Sequence, residues 1–220
     1  LWISTYGEGV YYYRNKRLFN INTDDGLGDN YNYTLYGNKD GTIWAGNDAG
    51  ISVCSRDDKQ KVIRHYSTVD GLPDIIVQKI VPSASGGAWI GMQEKGICYY
   101  NPVSDAFELP LSQNWDFGPV NDVLDFGDLL WIASEGNGII ELSLKKENKE
   151  SGFSLVEGSG KRIDQLLHDL EGNVWVVSQG LLSWSSGPGI RHTKNIAGLE
   201  LGNIHALHAE ADGSFYFGND

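Results

Sequence analysis

Short apolar runs centred on a tryptophan recur along the chain at a nearly constant spacing. Their central residues are Trp2, Trp44, Trp89, Trp131 and Trp175, and Tyr216 holds the sixth place. Successive centres are 42, 45, 42, 44 and 41 residues apart. Self-similarity at such a period is typical of a protein in which one supersecondary unit is used several times. We therefore expect a single structural unit that repeats along the whole chain.

Turn residues divide each repeat into short strands. Asp-Gly or Gly-Gly pairs precede several of the central runs, at 40–41, 86–87 and 212–213. These pairs indicate hairpins, because glycine adopts the positive φ that tight turns require. A third strand follows at 9–13, 50–53, 96–99, 138–141 and 180–183. A more polar fourth strand comes next, at 62–66 and 107–109.

The fourth strand leads into a glycine-containing loop and then into the first strand of the next repeat. The clearest loops are at 25–29 and 70–74, and the opening strands are at 77–81, 163–166 and 204–207. Each repeat is therefore predicted to be a sheet of four short antiparallel strands. One such sheet cannot bury both of its faces, whereas sheets stacked around an axis can, with aromatic residues filling the space between neighbours. A β-sandwich is the rival architecture, but it does not carry a strict period.

The sequence thus predicts an all-β fold, a segment of a β-propeller built from four-stranded antiparallel blades. The strand count gives about four complete blades and a partial blade at each end, because the chain opens and stops in a second strand. We expect one incomplete domain over residues 1–220, with repeats that start near 1, 42, 87, 129, 173 and 214. A chain that opens within a buried strand indicates an excised piece of a larger propeller. The polar run 145–151 is predicted to be a loop.

Charge and composition restrict the classes of partner that the chain is expected to bind. The chain has 17 basic and 29 acidic residues, a net charge of −12, which argues against binding to nucleic acid or to an anionic membrane surface. No apolar stretch approaches the roughly 18 residues of a membrane span. Cys54 and Cys98 each lie in an apolar strand, so we expect buried free thiols rather than a disulfide.

Catalytic and metal-binding patterns are lacking in the sequence. There is no G-x-S-x-G elbow and no phosphate-binding glycine loop before a helix. The histidines show no metal-ligand spacing; they are His65, His168, His192, His205 and His208. The acidic pairs Asp24-Asp25 and Asp57-Asp58 have the composition of turns rather than of a glycosidase site. We predict no catalytic residue, no metal and no cofactor.

Loops at one end of the blades offer binding groups instead. In a propeller, the loops between blades and the loops after each second strand emerge at the same end. The residues predicted to bind a ligand there are Tyr6, Asn30, Tyr31, Asp74, Trp115 and Arg162. Aromatic rings pack on the C–H faces of sugars, and amide, acid and guanidinium groups take the hydroxyls. Trp115 falls outside the periodic tryptophan position, and its alternative role is a cap over the sheet ends.

The first strand of each blade supplies a second set. Alignment on the tryptophans puts Tyr33, Gln78, Asp164 and His205 at equivalent places, with Asn121 near the same place. A polar residue between apolar neighbours would line the central channel, where it either contacts a ligand or only lines the channel. The periodic tryptophans themselves are predicted to be core.

The repeats resemble a known family. The pattern Asp-Gly-x-(Ile/Val)-Trp-(Ile/Val/Ala)-Gly, then Gly-(Ile/Leu/Val), then Gly-Leu-Pro, is best developed at 40–46, 50–51 and 71–73. It is similar to the two-component regulator propeller repeat. Two departures are the tighter turn at 125–128 and Gly28, which stands where the pattern has proline.

That resemblance implies a role. The family forms the periplasmic sensor of hybrid two-component systems in Bacteroides-like bacteria, where repeats build seven-bladed propellers followed by a β-sandwich, a membrane helix and a histidine kinase. It implies that this segment is not an enzyme and detects a glycan or oligosaccharide. Its other partners would be the remaining blades and downstream domains of the receptor. The open faces that a cut propeller leaves predict a homodimer as a further option.

Two alternatives from other classes stay open at the level of sequence. One is a metal-assisted lyase of the streptogramin-lyase type, for which His205 is the histidine whose strand position fits. The other is a scaffold for protein interactions without a small ligand.

Overall fold

The computed structural model describes residues 1–55, 61–110, 115–144, 153–156, 159–185, 191–193, 195–196, 199–200, 202–210 and 212–219. This part of the chain contains 23 β-strands and two single-turn 3-10 helices. None of its helices is long and apolar enough to cross a membrane. The all-β prediction is therefore confirmed. The predicted loop 145–151, Asp57-Asp58 and the side chain of His192 lie outside the described residues.

Most strands form four-stranded antiparallel sheets, which we call blades 2 to 5. Blade 2 consists of β4 (Asn32–Gly37), β5 (Ile43–Asn47), β6 (Gly50–Cys54) and β7 (Val62–Tyr66). Blade 3 consists of β8 (Val77–Pro82), β9 (Ala88–Met92), β10 (Ile97–Asn101) and β11 (Ala106–Glu108). Blade 4 consists of β12 (Val120–Asp125), β13 (Leu129–Ser134), β14 (Ile139–Ser143) and β15 (Phe153–Leu155). Blade 5 consists of β16 (Gln165–His168), β17 (Val174–Ser178), β18 (Leu181–Ser185) and β19 (Arg191–Thr193).

Smaller sheets stand before and after these blades. Blade 1 has three strands, β1 (Trp2–Ser4), β2 (Val10–Arg14) and β3 (Arg17–Ile21). The last hairpin is formed by β22 (Ile204–Ala209) and β23 (Phe215–Asn219). The four whole blades and two partial ones of the sequence analysis are thus present. A further two-stranded pair, β20 (Asn195–Ile196) and β21 (Leu199–Glu200), was not predicted.

The chain divides into two compact units, Leu1–Trp115 and Asp116–Asp220. In the first unit, one apolar core joins blade 1 to blade 2 and another joins blade 2 to blade 3. In the second unit, one core joins blade 4 to blade 5 and another joins blade 5 to the last hairpin. The single domain over residues 1–220 stays a prediction.

The periodic tryptophans are buried to different extents. Trp44 and Trp89 are buried, and the Trp44 ring contacts the rings of Tyr66 and Tyr100 at centroid distances of 5.3 and 4.7 Å. The other three, Trp2, Trp131 and Trp175, are half-buried and pack against the edges of their cores. Cys54 and Cys98 are free and buried, as predicted. Burial raises the pKa of the Cys54 thiol to about 12 and raises that of Cys98 as well, so neither is a reactive thiolate.

Loops between blades in the first unit are held by 3-10 turns. Thr23–Asp25 and Thr68–Asp70 each carry a capping box, with Asn22 and Ser67 as the N-cap residues. Leucines follow both turns, and Leu27 and Leu72 are buried in the cores. These leucines fix the path of the loop that leads into the next blade.

A β-bulge recurs near the start of the first strand of a blade. The register shifts by one residue at Tyr33 in β4, Gln78 in β8, Asn121 in β12 and His205 in β22. A bulge leaves one residue unpaired and re-aims the side chains around it. At four of the five aligned places, the polar residue is therefore the bulge residue itself; the fifth, Asp164, directly precedes β16.

The residue after the bulge joins one blade to the next through the first strands, and we call this contact the first-strand clasp. Thr34 Oγ1 accepts a hydrogen bond from Ile80 N at 3.3 Å, and Asp122 Oδ2 accepts one from Leu166 N at 3.0 Å. Gln165 Oε1 accepts from Leu207 N at 2.8 Å, and Gln165 Nε2 donates to the Leu207 carbonyl at 2.7 Å. The first strand is an edge of its sheet, so these N–H groups lack a strand partner. The clasp supplies the missing acceptor.

A second polar contact joins blades 2 and 3 at their later strands. The hydroxyls of Tyr66 and Tyr100 both donate to Asp105 Oδ1 at 2.8 Å, and Arg64 Nη1 lies 2.8 Å from Asp105 Oδ2. The Arg64 guanidinium also lies over the Tyr66 ring, 4.1 Å from its centroid. The Tyr66 hydrogen bond, followed by those of Tyr100 and Arg64, lowers the pKa of Asp105. This carboxylate therefore stays charged and ties the two blades together.

We expect Asp122→Ala to lower the free energy of unfolding by about 2–4 kcal/mol, because two backbone N–H groups lose their acceptor in a buried site. These are the N–H groups of Val123 and Leu166. The measurement is urea unfolding followed by tryptophan fluorescence. Glu171→Ala, at an exposed turn position, is the control and should stay within about 0.5 kcal/mol. An unchanged midpoint for Asp122→Ala would contradict the role of the clasp.

The Asp105 contact should also make stability depend on pH. A carboxyl whose pKa is lowered on folding stabilises the protein above its ordinary value of 3.8, and that contribution is lost as the pH falls through the lowered pKa. We expect Tyr66→Phe to cost about 1 kcal/mol at pH 7, since the half-exposed carboxylate is partly screened by water. Urea unfolding at about pH 3 should show a smaller difference from the unaltered protein. A difference that grows on acidification would contradict this account.

Candidate functional site

Three tyrosines meet where the loop of blade 1 touches the loop that enters blade 2. The Tyr6 ring lies edge to face against the rings of Tyr31 and Tyr33, at centroid distances of 6.0 and 5.3 Å and interplanar angles of 87° and 78°. We call these three residues the tyrosine cluster. Tyr6 and Tyr31 are exposed, and Tyr33 is half-buried. The structure thus brings together three of the residues that the sequence predicted for ligand binding.

Backbone bonds hold the two loops of the cluster together. Tyr6 and Tyr31 form an isolated antiparallel bridge. The Asn30 carbonyl accepts from the N–H groups of Gly7 and Gly9 at 3.1 and 2.9 Å, and Asn32 N donates to the Thr5 carbonyl at 3.0 Å. The Asn30 side chain also accepts from Thr23 N at 3.0 Å. Asn30 therefore positions the cluster, and its oxygen atoms are already engaged.

Acidic groups surround the cluster. The Tyr33 hydroxyl donates to Asp48 Oδ1 at 2.6 Å, and Asp29 Oδ1 accepts from Tyr31 N at 2.7 Å. Burial, the hydrogen bond to Asp48 and the charges of Asp48 and Asp29 all raise the pKa of Tyr33. Tyr33 is therefore neutral and stands in a negative electrostatic environment.

In blade 3 the predicted binding residues instead stabilise a turn. Asp74 Oδ2 accepts from the backbone N–H groups of Glu94 and Lys95 at 2.7 and 3.3 Å. Gln78 Nε2 donates to Gln93 Oε1 at 2.6 Å. All these bonds fix the turn that follows the second strand of the blade.

Trp115 packs on the same turn of blade 3. Its indole lies directly over Gly96, where a Cβ atom would overlap the ring, and Gly96 has a φ of +72°. Only glycine satisfies both conditions without strain. The contact favours the cap role for Trp115 over a ring face left open to a ligand.

In the second unit, three predicted residues line one open pocket of about 430 Å³. They are Arg162, Asp164 and His205, and the lining is completed by Gln179, Gly180 and Ile204. Arg162 contacts Asp164 at 2.7 Å and Glu135 at 3.2 Å. The hydrogen bond and the charge of Asp164, with that of Glu135, raise the pKa of Arg162. The guanidinium charge is therefore balanced by two carboxylates.

The polar position in the first strand has a recurring structural role. Its side chain bonds to the turn after the second strand of the same blade in the pairs Tyr33–Asp48, Gln78–Gln93 and Asp164–Gln179 N. Asn121 differs, because its Nδ2 donates to the Ile163 carbonyl of the next blade at 2.8 Å. Sequence alignment found the position but could not show these partners.

A buried polar network in blade 2 escaped the sequence analysis. Ser52 Oγ accepts from Gly28 N at 2.9 Å and from Asn47 Nδ2 at 3.2 Å. His65 Nε2 lies 2.9 Å from the Ala49 carbonyl, which can only accept, so Nε2 carries the proton. Ser52 then donates to His65 Nδ1, at 3.3 Å. The sequence signal for this network was the glycine at position 28, where the repeat pattern has proline. The His65 imidazole occupies the space that the side chain of a proline would fill.

Within the described residues, no group of three or more His, Cys, Asp or Glu side chains could hold a metal ion. In the same residues, every buried side-chain nitrogen and oxygen has a hydrogen-bond partner.

Comparison with known proteins gives a fold but no family. No protein-family model matches the chain, and no curated protein matches it. Among solved structures, two extracellular domains described as parts of Bacteroides thetaiotaomicron hybrid two-component systems are similar over 99% of this chain. One has a TM-score of 0.72 at 19% identity, and the other has 0.61 at 20% identity. The chain spans only 31% and 35% of those two domains, about a third of their length.

An enzyme has the same fold. Virginiamycin B lyase from Staphylococcus aureus is similar over 96% of this chain and 70% of its own, with a TM-score of 0.64 at 13% identity. At such identities the likeness shows the fold alone. Together with the observed blades, it establishes an all-β protein of the propeller type.

The Ser52 network yields a test of the loop that carries the tyrosine cluster. A methyl group at position 28 would overlap His65, so Gly28→Ala should cost about 1–3 kcal/mol in the free energy of unfolding. Combining it with His65→Ala should cost less than the sum of the two single changes, because the ring is gone. Gly136→Ala is a matched control, since nothing lies within 4 Å of the added methyl group. Additive costs in urea unfolding would contradict the packing argument.

Proposed function

We propose that the chain is part of the periplasmic sensor region of a hybrid two-component receptor, and that it detects a glycan or oligosaccharide for a downstream histidine kinase. The observation that carries this proposal is the likeness in fold, over 99% of the chain, to two extracellular domains of such systems. The remaining blades of a seven-bladed propeller and the later domains of the receptor would be its covalent partners. In this role the segment binds a ligand and does no chemistry on it.

The loops give this proposal its chemistry. Exposed aromatic rings lie beside carboxylates in the tyrosine cluster, and a cation balanced by two carboxylates lines the pocket at Arg162. Rings that pack on C–H faces, next to groups that bond hydroxyls, suit a sugar. Ligand recognition at such a surface needs no titratable nucleophile.

We expect titration calorimetry to show binding of at least one oligosaccharide from a panel of plant, fungal and host glycan fragments. The dissociation constant should lie between about 1 mM and 1 μM, or about −4 to −8 kcal/mol. The His205→Ala variant is titrated in parallel, and its dissociation constant is compared with that of the unaltered chain. This comparison tests whether the ligand lies in the pocket of the second unit, which His205 lines. Silence across the whole panel would contradict the sensor proposal for this segment.

A lyase is the second candidate function, favoured by the likeness to virginiamycin B lyase over 70% of that enzyme. In this case His205, which lines one pocket with Asp164 and Arg162, would be the catalytic residue. The described residues contain no group of three or more His, Cys, Asp or Glu side chains that could hold a metal ion for such an elimination. Quinupristin accompanies a catalytically inactive variant of that lyase in another solved structure that is similar to this chain. Incubation of the chain with quinupristin and a divalent cation, followed by mass spectrometry, distinguishes the two functions. Product that is formed by the unaltered chain and lost in His205→Ala would favour the lyase, whereas intact substrate favours the sensor.

A further inference from the structure

The tyrosine cluster exposes aromatic surface that the folding of the blades does not require. Tyr6 is 73% exposed and Tyr31 is 49% exposed. Neither belongs to the apolar cores of the first unit. Exposed aromatic rings held next to one another are common in surfaces that bind ligands. Function, rather than stability, therefore explains their position best.

The cluster is also pre-organised. The two loops that carry it are joined by the backbone bonds of Asn30 and Asn32, and the Tyr33 ring is fixed by its bond to Asp48. Tyr6 stands nearly perpendicular to both other rings, so adjoining ring faces and edges form a corner. A ligand that enters such a corner meets side chains that lose little freedom on binding.

The electrostatic environment selects among ligands. Asp48 accepts a hydrogen bond from the Tyr33 hydroxyl and Asp29 accepts one from Tyr31 N, so two carboxylates stand beside the cluster and make its electrostatic environment negative. The net charge of −12 gives the whole chain the same sign. The carboxylates repel a negatively charged ligand that enters the cluster, whereas they accept hydrogen bonds from the hydroxyls of a neutral one. An acidic ligand is disfavoured, and a neutral one rich in hydroxyls is favoured.

We propose that the tyrosine cluster of Tyr6, Tyr31 and Tyr33 binds the C–H face of an uncharged sugar, and that it discriminates against uronic acids and sulfated sugars. The inference rests on the proposed glycan function and names the site and the ligand class. The sugar packs against Tyr6 and Tyr31, and its hydroxyls donate to the nearby carboxylates. Tyr33 orients Asp48 for this purpose and is a positioning residue.

Calorimetry on the 220-residue chain tests the proposal. The uncharged probes are cello-, xylo-, manno- and maltohexaose, and the acidic probes are hexagalacturonate and a heparin hexasaccharide. We expect at least one uncharged probe to bind at least about tenfold more tightly than either acidic probe. Tyr6→Ala and Tyr31→Ala should each weaken that binding about tenfold, the order of one lost stacking contact.

Controls separate loss of the rings from loss of the fold. Tyr13→Ala removes a tyrosine that is 50% exposed but lies on strand β2 away from the cluster, and it should change binding less than about twofold. Tyr31→Phe keeps the ring and should restore most of the affinity. Asp48→Asn should narrow the ratio between uncharged and acidic probes, because it removes one negative charge.

The outcomes are distinct. Unchanged binding in both Tyr6→Ala and Tyr31→Ala overturns the site and leaves the glycan sensor standing. Tighter binding of the acidic probes overturns the ligand class. Silence from every probe overturns the sensor proposal, and the tyrosine site falls with it.

Discussion

The contacts between blades depend on how the unpaired backbone groups of each first strand find hydrogen-bond partners. The first strand is an edge of its sheet, so one row of its backbone groups has no strand partner. In three places the preceding blade supplies a side-chain acceptor, from Thr34, Asp122 or Gln165. The residue types differ but their place is the same, since each acceptor lies just after the polar position of one first strand and reaches an N–H group in the first strand of the next sheet. The clasp therefore fixes neighbouring blades in register without a continuous sheet between them.

The same strand also supports the loops of the candidate binding surface. The bulge just before the clasp turns one polar side chain towards the turn after the second strand, as in the Tyr33–Asp48 and Gln78–Gln93 pairs. The contact that joins two blades and the bond that supports a loop therefore come from neighbouring residues of one strand, as Thr34 and Tyr33 show. A propeller blade can vary its loops freely only because these internal bonds hold the loop bases in place. The tyrosine cluster is one product of this arrangement, built on the loops at the junction of blades 1 and 2.

Some candidate residues contact other groups of their own unit, whereas others are exposed to solvent. Asp74, Asn30 and Trp115 are engaged with the backbone or side chains of their own unit. Tyr6 and Tyr31 combine exposure with fixed positions, which is what a recognition surface needs. Amide, carboxylate and aromatic side chains look alike in a sequence whichever of these two roles they have.

The repeat, the four-stranded unit and most strand positions follow from the amino-acid pattern alone, including Val62–Tyr66 at its observed bounds. Period and turn chemistry are local properties, and glycine placement records them directly. Alignment of the repeats also located the polar position in the first strand and the loops that carry Tyr6 and Tyr31. The three-dimensional contacts were needed to show that this position is a bulge in most blades, that Asp122 joins two blades, and that Gly28 makes room for His65. The bulge depends on how two neighbouring strands pair, and the other two contacts join residues about 40 apart in the chain, so no local pattern encodes which side chain will stand opposite.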